Sequence, residues 1–177
     1  QYSKSGLRSR GCFGGVDYSM APSLQSLSCD ILLVQPPIRD FYLTAKRTIP
    51  YGLAGIAASL KAAGFSVRIL DAMATQQSRI LDLPAEMSYL RPYFDKPDRS
   101  PFALFHHFKH FGYSFDTIGQ RVKKAQPFLV GISSLFSAYA NEAVQAAQTV
   151  KKHRPDCKIV VGGHHATAMP ERMMASS

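Results

Sequence analysis

The sequence ILLVQPP at residues 31–37 joins a fully apolar run to a glutamine and two prolines. Four consecutive apolar residues that stop at prolines are typical of a β-strand buried on both faces, as in a parallel sheet. The stretch therefore predicts a first strand over Ile31–Val34 and a loop that begins at Gln35.

The next residues predict a βαβ unit. Beyond residue 50, apolar side chains recur with the spacing of one helix face, at Leu53, Ile56, Ala57 and Leu60. Gly64 stands where a helix C-cap is expected, and Val67–Asp71 has the character of a second strand. A right-handed crossover makes the two strands parallel.

The alternation of helices and strands continues towards the C-terminus. We predict a helix from Phe115 to Ala125 with Ser114 as N-cap, a strand over 128–133, a helix over 141–153 with Ala140, Ala143, Val144, Ala147 and Val150 on one face, and a strand over 158–162. This order predicts an α/β fold with an open, doubly wound parallel sheet. A five-stranded sheet of this kind would need a further helix, strand and last helix, so we expect the final strand and helix to be missing.

The remaining segments fit neither period. Residues 1–28 are rich in serine and glycine and are predicted to be a flexible tail, which leaves 29–177 as the domain. Residues 72–113 contain four prolines and many aromatic residues. We predict an insertion that packs on the core and is helical in pieces.

The composition excludes several classes of protein. With 46% hydrophobic and 19% charged residues, the chain can bury a core, and it has no apolar run long enough to span a bilayer. We expect no cleavable secretory signal, because no apolar segment follows the basic residues near the N-terminus. Its three cysteines form no clustered pattern, which favours a reducing, cytoplasmic location. The net charge of +9 comes from scattered residues without a nucleic-acid-binding motif, so we expect neither a nucleic acid nor a membrane as partner.

Ligands of such sheets bind outside the carboxyl ends of the strands. Three loops leave those ends, at residues 35–39, 133–135 and 162–167. The pair Gly162-Gly163 permits a close approach of the backbone to a ligand, and serine hydroxyls can donate and accept hydrogen bonds. Ordinary turn chemistry would explain the same residues, so spacing alone leaves a ligand site and a plain turn open.

Several of these stretches together resemble the cobalamin-binding domain of the cobalamin-dependent radical SAM enzymes. The matching stretches are ILLVQPP at 31–37, PYGLA at 50–54, LKAAGF at 60–65, VGIS at 130–133 and VGGHHAT at 161–167. The resemblance implies a flavodoxin-like fold with strand order 2-1-3-4-5. It also implies bound cobalamin whose nucleotide tail enters the sheet beside the third and fourth strands.

The resemblance also supplies candidate binding residues. The S-x-L and G-G signatures of the tail pocket correspond to Ser133-Ser134-Leu135 and Gly162-Gly163. The full predicted set is Gln35, Pro36, Pro37, Tyr51, Gly52, Ser133, Ser134, Leu135, Gly162, Gly163, His164, His165 and Thr167. The histidine pair could contact the corrin amides or could equally lie on the surface.

The sequence lacks the D-x-H-x-x-G motif that supplies a histidine to cobalt in other cobalamin proteins. Radical SAM relatives typically lack it too, so the resemblance implies base-off cobalamin without a protein histidine ligand. Arg39 and Tyr42 are both candidates for the lower face. The C-x-x-x-C-x-x-C loop for a [4Fe–4S] cluster is also missing. The cluster, S-adenosylmethionine and the methyl transfer or related radical reaction are therefore implied only for a radical SAM domain in cis, and no catalytic residue is predicted here.

Other interpretations remain open at the level of the sequence. The chain could be a flavodoxin-like interaction or regulatory domain that binds no corrin, or a small α/β transferase that uses His164 or His165. His106, His107 and His110 have helical metal-ligand spacing, but the phenylalanines beside them favour an amphipathic segment with solvated histidines. Asp71 could hold a ribose, but no G-x-G-x-x-G follows the first strand.

Overall fold

A computed structural model describes residues 28–42, 49–94 and 107–175, so the predicted tail at 1–27 lies outside the described residues. The elements in chain order are β1 (Ile31–Gln35), β2 (Ile38–Asp40), α1 (Tyr51–Ala62), β3 (Val67–Asp71), β4 (Ser78–Ile80), a 3-10 helix (Ala85–Leu90), α2 (Arg91–Phe94), β5 (Lys109–Phe111), α3 (Phe115–Ala125), β6 (Leu129–Ser133), a second 3-10 helix (Ser137–Tyr139), α4 (Ala140–His153), β7 (Lys158–Gly162), α5 (His164–Ala168) and α6 (Pro170–Ala175). None of these helices has the length and apolar character needed to cross a bilayer.

The main sheet has four parallel strands in the order β3-β1-β6-β7. This is the order 2-1-3-4 expected for the first four strands of a flavodoxin-like sheet, and the predicted α/β class is confirmed. The apolar run of β1 is buried on both faces, as its sequence predicts. Leu32 and Val34 pack into the cluster that includes α3 and α4, whereas Ile31 and Leu33 pack against α1.

Helix α1 ends as its sequence predicts. Gly64 has φ +91° and its amide donates to the carbonyl of Lys61, while the amide of Phe65 donates to that of Leu60. These two bonds form a Schellman motif, in which glycine is favoured because the left-handed backbone disfavours a Cβ. The predicted buried face is wrong at Ile56, which is 50% exposed, because α1 covers only the part of the sheet formed by β1 and β3.

Helices α3 and α4 pack on the opposite face of the sheet. The predicted N-cap is confirmed, since the amide of Thr117 donates to Ser114 Oγ at 3.1 Å. The predicted face of α4 is partly wrong. Glu142 and Ala146 are buried with Ala143 and Val150, while the other predicted members of that face are half-buried. The sequence did not predict the charged Glu142 on this apolar face, because its partner Arg39 is distant in sequence.

The predicted insertion at 72–113 is only partly helical. A 3-10 helix and α2 supply the helical pieces, but β4 and β5 join β2 in a second, antiparallel sheet of order β2-β5-β4. Three-residue strands contain too few alternations to be recognised from their sequence. His110 lies in β5, so the helical spacing assumed for the histidine cluster is wrong there, and His106 lies outside the described residues.

Candidate functional site

A cavity with a volume of about 450 Å³ lies at the carboxyl ends of β1 and β6. It is bounded by the β1–β2 loop, the start of α1 and the β6–α4 loop. Because the strands are parallel, their carboxyl ends share one edge, so distant loops meet there. The volume is within the range of small-molecule sites.

Eight of the thirteen predicted residues line this cavity, namely Gln35, Pro36, Pro37, Tyr51, Gly52, Ser133, Ser134 and Leu135. Tyr42, one of the two lower-face candidates, also lines it. Sequence reasoning missed Met73, Phe136 and Tyr139, which lie in the same wall. Phe136 and Tyr139 are aromatic residues that directly follow a predicted loop, in the sequence FSAY at 136–139. This position was the signal that could have indicated them.

The other five predicted residues lie beside the cavity, at the end of β7 and in α5. Gly162 pairs in register with Ser133, and its carbonyl accepts the amide of Ser134 at 2.7 Å. The Ser134 carbonyl in turn accepts the amide of His165 at 3.2 Å. The backbone of Ser134 thereby connects the ends of β6 and β7 with α5.

The two glycines have different roles. Gly163 has φ +123°, and a Cβ there would lie 2.5 Å from the carbonyl oxygen of Ser134, so no larger residue fits without movement. A Cβ at Gly162 would meet nothing within 4 Å. Gly162 therefore borders open space on the α1 side of the sheet, next to Gly131, Ser133 and the exposed Val160.

Ser134 supplies an unused polar group to the cavity wall. The residue is buried, and its Oγ has no hydrogen-bond partner among the described residues. A buried hydroxyl without a partner is costly, and such groups usually bond to protein or water. The Ser134 hydroxyl is therefore available to a polar atom of a ligand.

His165 does not line the larger cavity. It is buried, and its Nδ1 lies 2.9 Å from Ser137 Oγ. It borders a smaller cavity of about 130 Å³ between α4 and the α5–α6 segment. His164 and Thr167 are exposed. The contact with Ser137 thus holds His165 and α5 in place, whereas His164 is exposed.

A hydrogen-bonded cluster forms the wall of the cavity towards β2. The Tyr139 hydroxyl donates to the carboxylate of Asp40. Burial is the main cause that raises the pKa of Tyr139, and the hydrogen bond to Asp40 adds to it. Tyr139 is therefore a neutral phenol at physiological pH.

Arg39, the other lower-face candidate, points away from the cavity. Its guanidinium bonds to Gln145, lies 3.8 Å from Glu142 and stacks over Phe115 with 5.5 Å to the ring centroid. Burial raises the pKa of Glu142, and Oε2 of this residue has no partner among the described residues. Arg39 thus links β2 to α4 through its contacts with Gln145 and Glu142.

The described histidines and acids do not assemble into a metal centre: no group of three His, Cys, Asp or Glu residues is placed to hold an ion within the described ranges. His110 is buried, and its Nε2 lies 3.0 Å from the carbonyl oxygen of Tyr113. Burial lowers the pKa of His110, which favours its neutral form.

Comparisons with known proteins found similarity to one domain family and to one methyltransferase. Residues 104–177 match the family model described as B12 binding domain. The chain is 29% identical over 142 residues to cytidylyl-2-hydroxyethylphosphonate methyltransferase of Streptomyces wedmorensis. The aligned residues make up 80% of the chain but only 23% of that relative. The chain thus spans about a quarter of the length of this relative. No solved structure matches the chain significantly.

Proposed function

We propose that the chain is a cobalamin-binding module. The observation that carries the proposal is the cavity at the ends of β1 and β6, whose β6–α4 wall lies within the segment that matches the B12 binding domain. The similarity to a methyltransferase is consistent with this function.

The residues present fit the nucleotide tail of cobalamin. The tail would lie along the strip of Gly131, Ser133 and Gly162, where the side chains are small and space is open next to Gly162. The unpartnered Ser134 hydroxyl would bond a polar atom at its edge. Aromatic and proline residues of the β1–β2 and β6–α4 loops would pack against the corrin.

We further propose that cobalamin binds base-off and without a histidine ligand from this chain. The described residues that line the cavity include no histidine or cysteine, and no Asp in the sequence has a histidine two positions later. The neutral Tyr139 is not a phenolate ligand either. When bound, the cofactor would supply a cobalt centre that carries a methyl group or takes part in radical chemistry, and the chain would hold and orient it.

The intact protein would contain a radical SAM domain in cis, with its [4Fe–4S] cluster and S-adenosylmethionine, and would transfer a methyl group or carry out a related radical reaction in the cytoplasm. One fact supports this proposal: the chain spans 23% of the length of a relative named as a methyltransferase.

A flavodoxin-like interaction domain without corrin is the second candidate. It is favoured by the exposed Val160 on the face of the sheet that α1 leaves open, and by the exposed Phe128 next to the start of β6. A transferase that uses His165 is disfavoured, because this histidine is buried against Ser137.

A binding assay separates the two candidates. The 177-residue protein is mixed with hydroxocobalamin and desalted, and the visible spectrum is recorded. Retained corrin with a base-off spectrum is expected, and the Gly162→Trp and Ser133→Trp variants should both lose it. Retention of corrin by both variants would contradict the proposed tail position. Failure of the folded wild-type protein to retain corrin would favour the interaction domain.

A further inference from the structure

The wall of the larger cavity carries exposed apolar side chains. Phe136 lies in this wall and is 59% exposed, and Leu135 beside it is 45% exposed. Tyr51, at the start of α1, lines the same cavity and is 76% exposed. Exposed apolar residues gathered at a cavity usually mark a binding surface. These side chains are therefore available to a ligand with an apolar face.

Tyr139 supports Phe136 within this wall. The two rings meet edge to face, with their centroids 6.2 Å apart and their planes at 88°. Tyr139 is half-buried, and its amide donates to the carbonyl of Phe136 at 3.0 Å. Because the edge-to-face contact is a favoured aromatic geometry, the position of the Phe136 ring depends on that of Tyr139.

Asp40 holds the far end of the Tyr139 side chain. Its Oδ2 accepts the Tyr139 hydroxyl, and its Oδ1 accepts the amide of Phe41 at 2.7 Å. The bond to Phe41 fixes the carboxylate relative to its own strand, so that Tyr139 meets an acceptor in a defined place. A carboxylate also accepts a hydrogen bond more strongly than a neutral group does.

The strand that carries Asp40 is itself held on two sides. β2 pairs with β5 in the antiparallel sheet. The preceding residue, Arg39, bonds to Gln145 and lies 3.8 Å from Glu142, both in α4. Asp40 is therefore fixed by contacts outside the cavity, and these contacts determine where Tyr139 lies before a ligand binds.

We infer that Asp40 is a positioning residue for the cofactor, which holds Tyr139 and, through the ring of Tyr139, keeps Phe136 in place against the corrin. This inference rests on the proposed function. It gives the antiparallel sheet a role in binding, because a residue of β2 outside the described lining would shape the site. Fixing the aromatic wall in advance removes the cost of ordering its side chains on binding.

The test measures the affinity of the 177-residue protein for hydroxocobalamin, from the change in the visible spectrum during a titration. Tyr139→Phe keeps the ring and removes the hydroxyl that Asp40 accepts, whereas Asp40→Ala removes the acceptor. Each variant should bind about threefold to tenfold more weakly, the cost of ordering one or two side chains. The double variant should bind no more weakly than the singles, because all three lack the same bond.

Asp30→Ala is the matched control. Asp30 accepts the amide of Ser66 at 2.7 Å beside the amino end of β1, just as Asp40 accepts the amide of Phe41 at 2.7 Å. Both substitutions remove a carboxylate that is bound to a backbone amide, but the carboxylate of Asp40 also holds a residue of the cavity wall. Asp30→Ala should therefore keep the wild-type affinity.

A second readout separates positioning from a general loss of stability. Circular dichroism in the corrin bands is recorded with each variant saturated with hydroxocobalamin, so that the spectrum does not depend on affinity. Tyr139→Phe and Asp40→Ala should change this spectrum in the same way, since the wall beside the corrin loses the same support in both. Asp30→Ala should leave the spectrum unchanged even if its thermal midpoint falls.

Each remaining outcome is decisive. If both single variants keep the wild-type affinity and corrin spectrum, the inference is wrong while the proposed function stands. If Tyr139→Phe alone loses affinity, or if the two losses add up in the double variant, Asp40 does not act through Tyr139 and its assigned role is wrong. If the folded wild-type protein binds no corrin, both the proposed function and the inference fail.

Should Asp40→Ala not fold, Asp40→Asn takes its place in the same experiment. Its neutral oxygen accepts the Tyr139 hydroxyl more weakly than a carboxylate does, so a smaller loss of affinity is expected. This loss should disappear when Tyr139→Phe is already present, and a loss that persists there would contradict the inference.

Discussion

Gly163 brings its α-carbon so close to Ser134 that a Cβ would lie 2.5 Å from the Ser134 carbonyl oxygen. That oxygen also accepts the amide of His165, and the amide of Ser134 donates to Gly162. The contact therefore holds the end of β6 against the turn from β7 into α5. The two adjacent glycines are therefore needed for different reasons. Gly163 permits the close backbone contact that stabilises this turn, whereas Gly162 leaves the neighbouring space open.

We expect Gly163→Ala to destabilise the fold by about 1–3 kcal/mol, because the residue combines a left-handed φ with a backbone collision. Gly162→Ala should change stability by less than about 1 kcal/mol, since its Cβ would meet nothing. Urea denaturation of both variants measures the difference. Equal losses in the two variants would contradict the geometry of this turn.

The packing of α3 against α4 gives a second pair of glycine predictions. A Cβ at Gly119 would overlap the imidazole of His153, so Gly119→Ala should displace this ring from the Thr149 carbonyl oxygen, and we expect a net loss of up to about 1 kcal/mol after the gain in helix propensity. Gly55, in the exposed middle of α1, has nothing near its Cβ position. Gly55→Ala should stabilise the protein by about 0.5–1 kcal/mol. Thermal unfolding should shift the two midpoints in opposite directions, and a stabilised Gly119→Ala would be inconsistent with the observed contact.

The Ser134 hydroxyl should matter for binding rather than for folding. Ser134→Ala removes a buried group that has no partner in the described structure, so stability should stay equal or rise slightly. Affinity for hydroxocobalamin should fall about threefold to tenfold, the effect of one lost hydrogen bond. Spectral titration and urea denaturation measure the two quantities.

Ser137→Ala is the converse control. It removes a hydroxyl bonded to His165 outside the larger cavity, and it should lower stability by about 1 kcal/mol with little change in affinity. The same change in affinity for both variants would exclude a specific role of the Ser134 hydroxyl.

Glu142 predicts a pH dependence of stability. Burial raises its pKa in the folded protein above 4.5, so the folded state binds the proton more tightly than the unfolded state. The contribution of Glu142 is therefore most favourable below the unfolded pKa and is lost as the pH rises through the folded pKa. Thermal midpoints of the wild-type protein and of Glu142→Gln are measured from pH 4 upwards. The two midpoints should converge at low pH. As the pH rises, the wild-type protein should lose the stability that Glu142 contributes, and the variant should not show this loss.

Glu171→Gln serves as the control for that experiment, because Glu171 is exposed in α6. Its profile should follow that of the wild-type protein. A Glu142→Gln profile that also follows the wild-type protein at every pH would rule out the raised pKa.

The sequence was informative where a signal is local. β1, β3 and β7 have apolar runs bounded by turn residues, and Ser114 and Gly64 mark helix ends by their own backbone chemistry. These features need no knowledge of distant residues. The loops at the carboxyl ends of the strands were found for the same reason, since parallel strands bring these loops to one edge.

Features set by tertiary contacts were missed. Glu142 is buried because Arg39 of β2 reaches it, and Tyr139 becomes part of the cavity because Asp40 binds its hydroxyl. The antiparallel sheet pairs residues 38–40 and 78–80 with 109–111, and strands so short have no periodicity to detect. The wall of the site that depends on these contacts was accordingly not predicted.

The pairing of β4 with β5 has a practical consequence for protein engineering. Ile80 and Lys109 are opposite each other in this antiparallel pair, so the two ends of the intervening stretch lie side by side. Because extra loop length costs little free energy, reporter peptides or affinity tags grafted between these two positions should leave the cavity undisturbed.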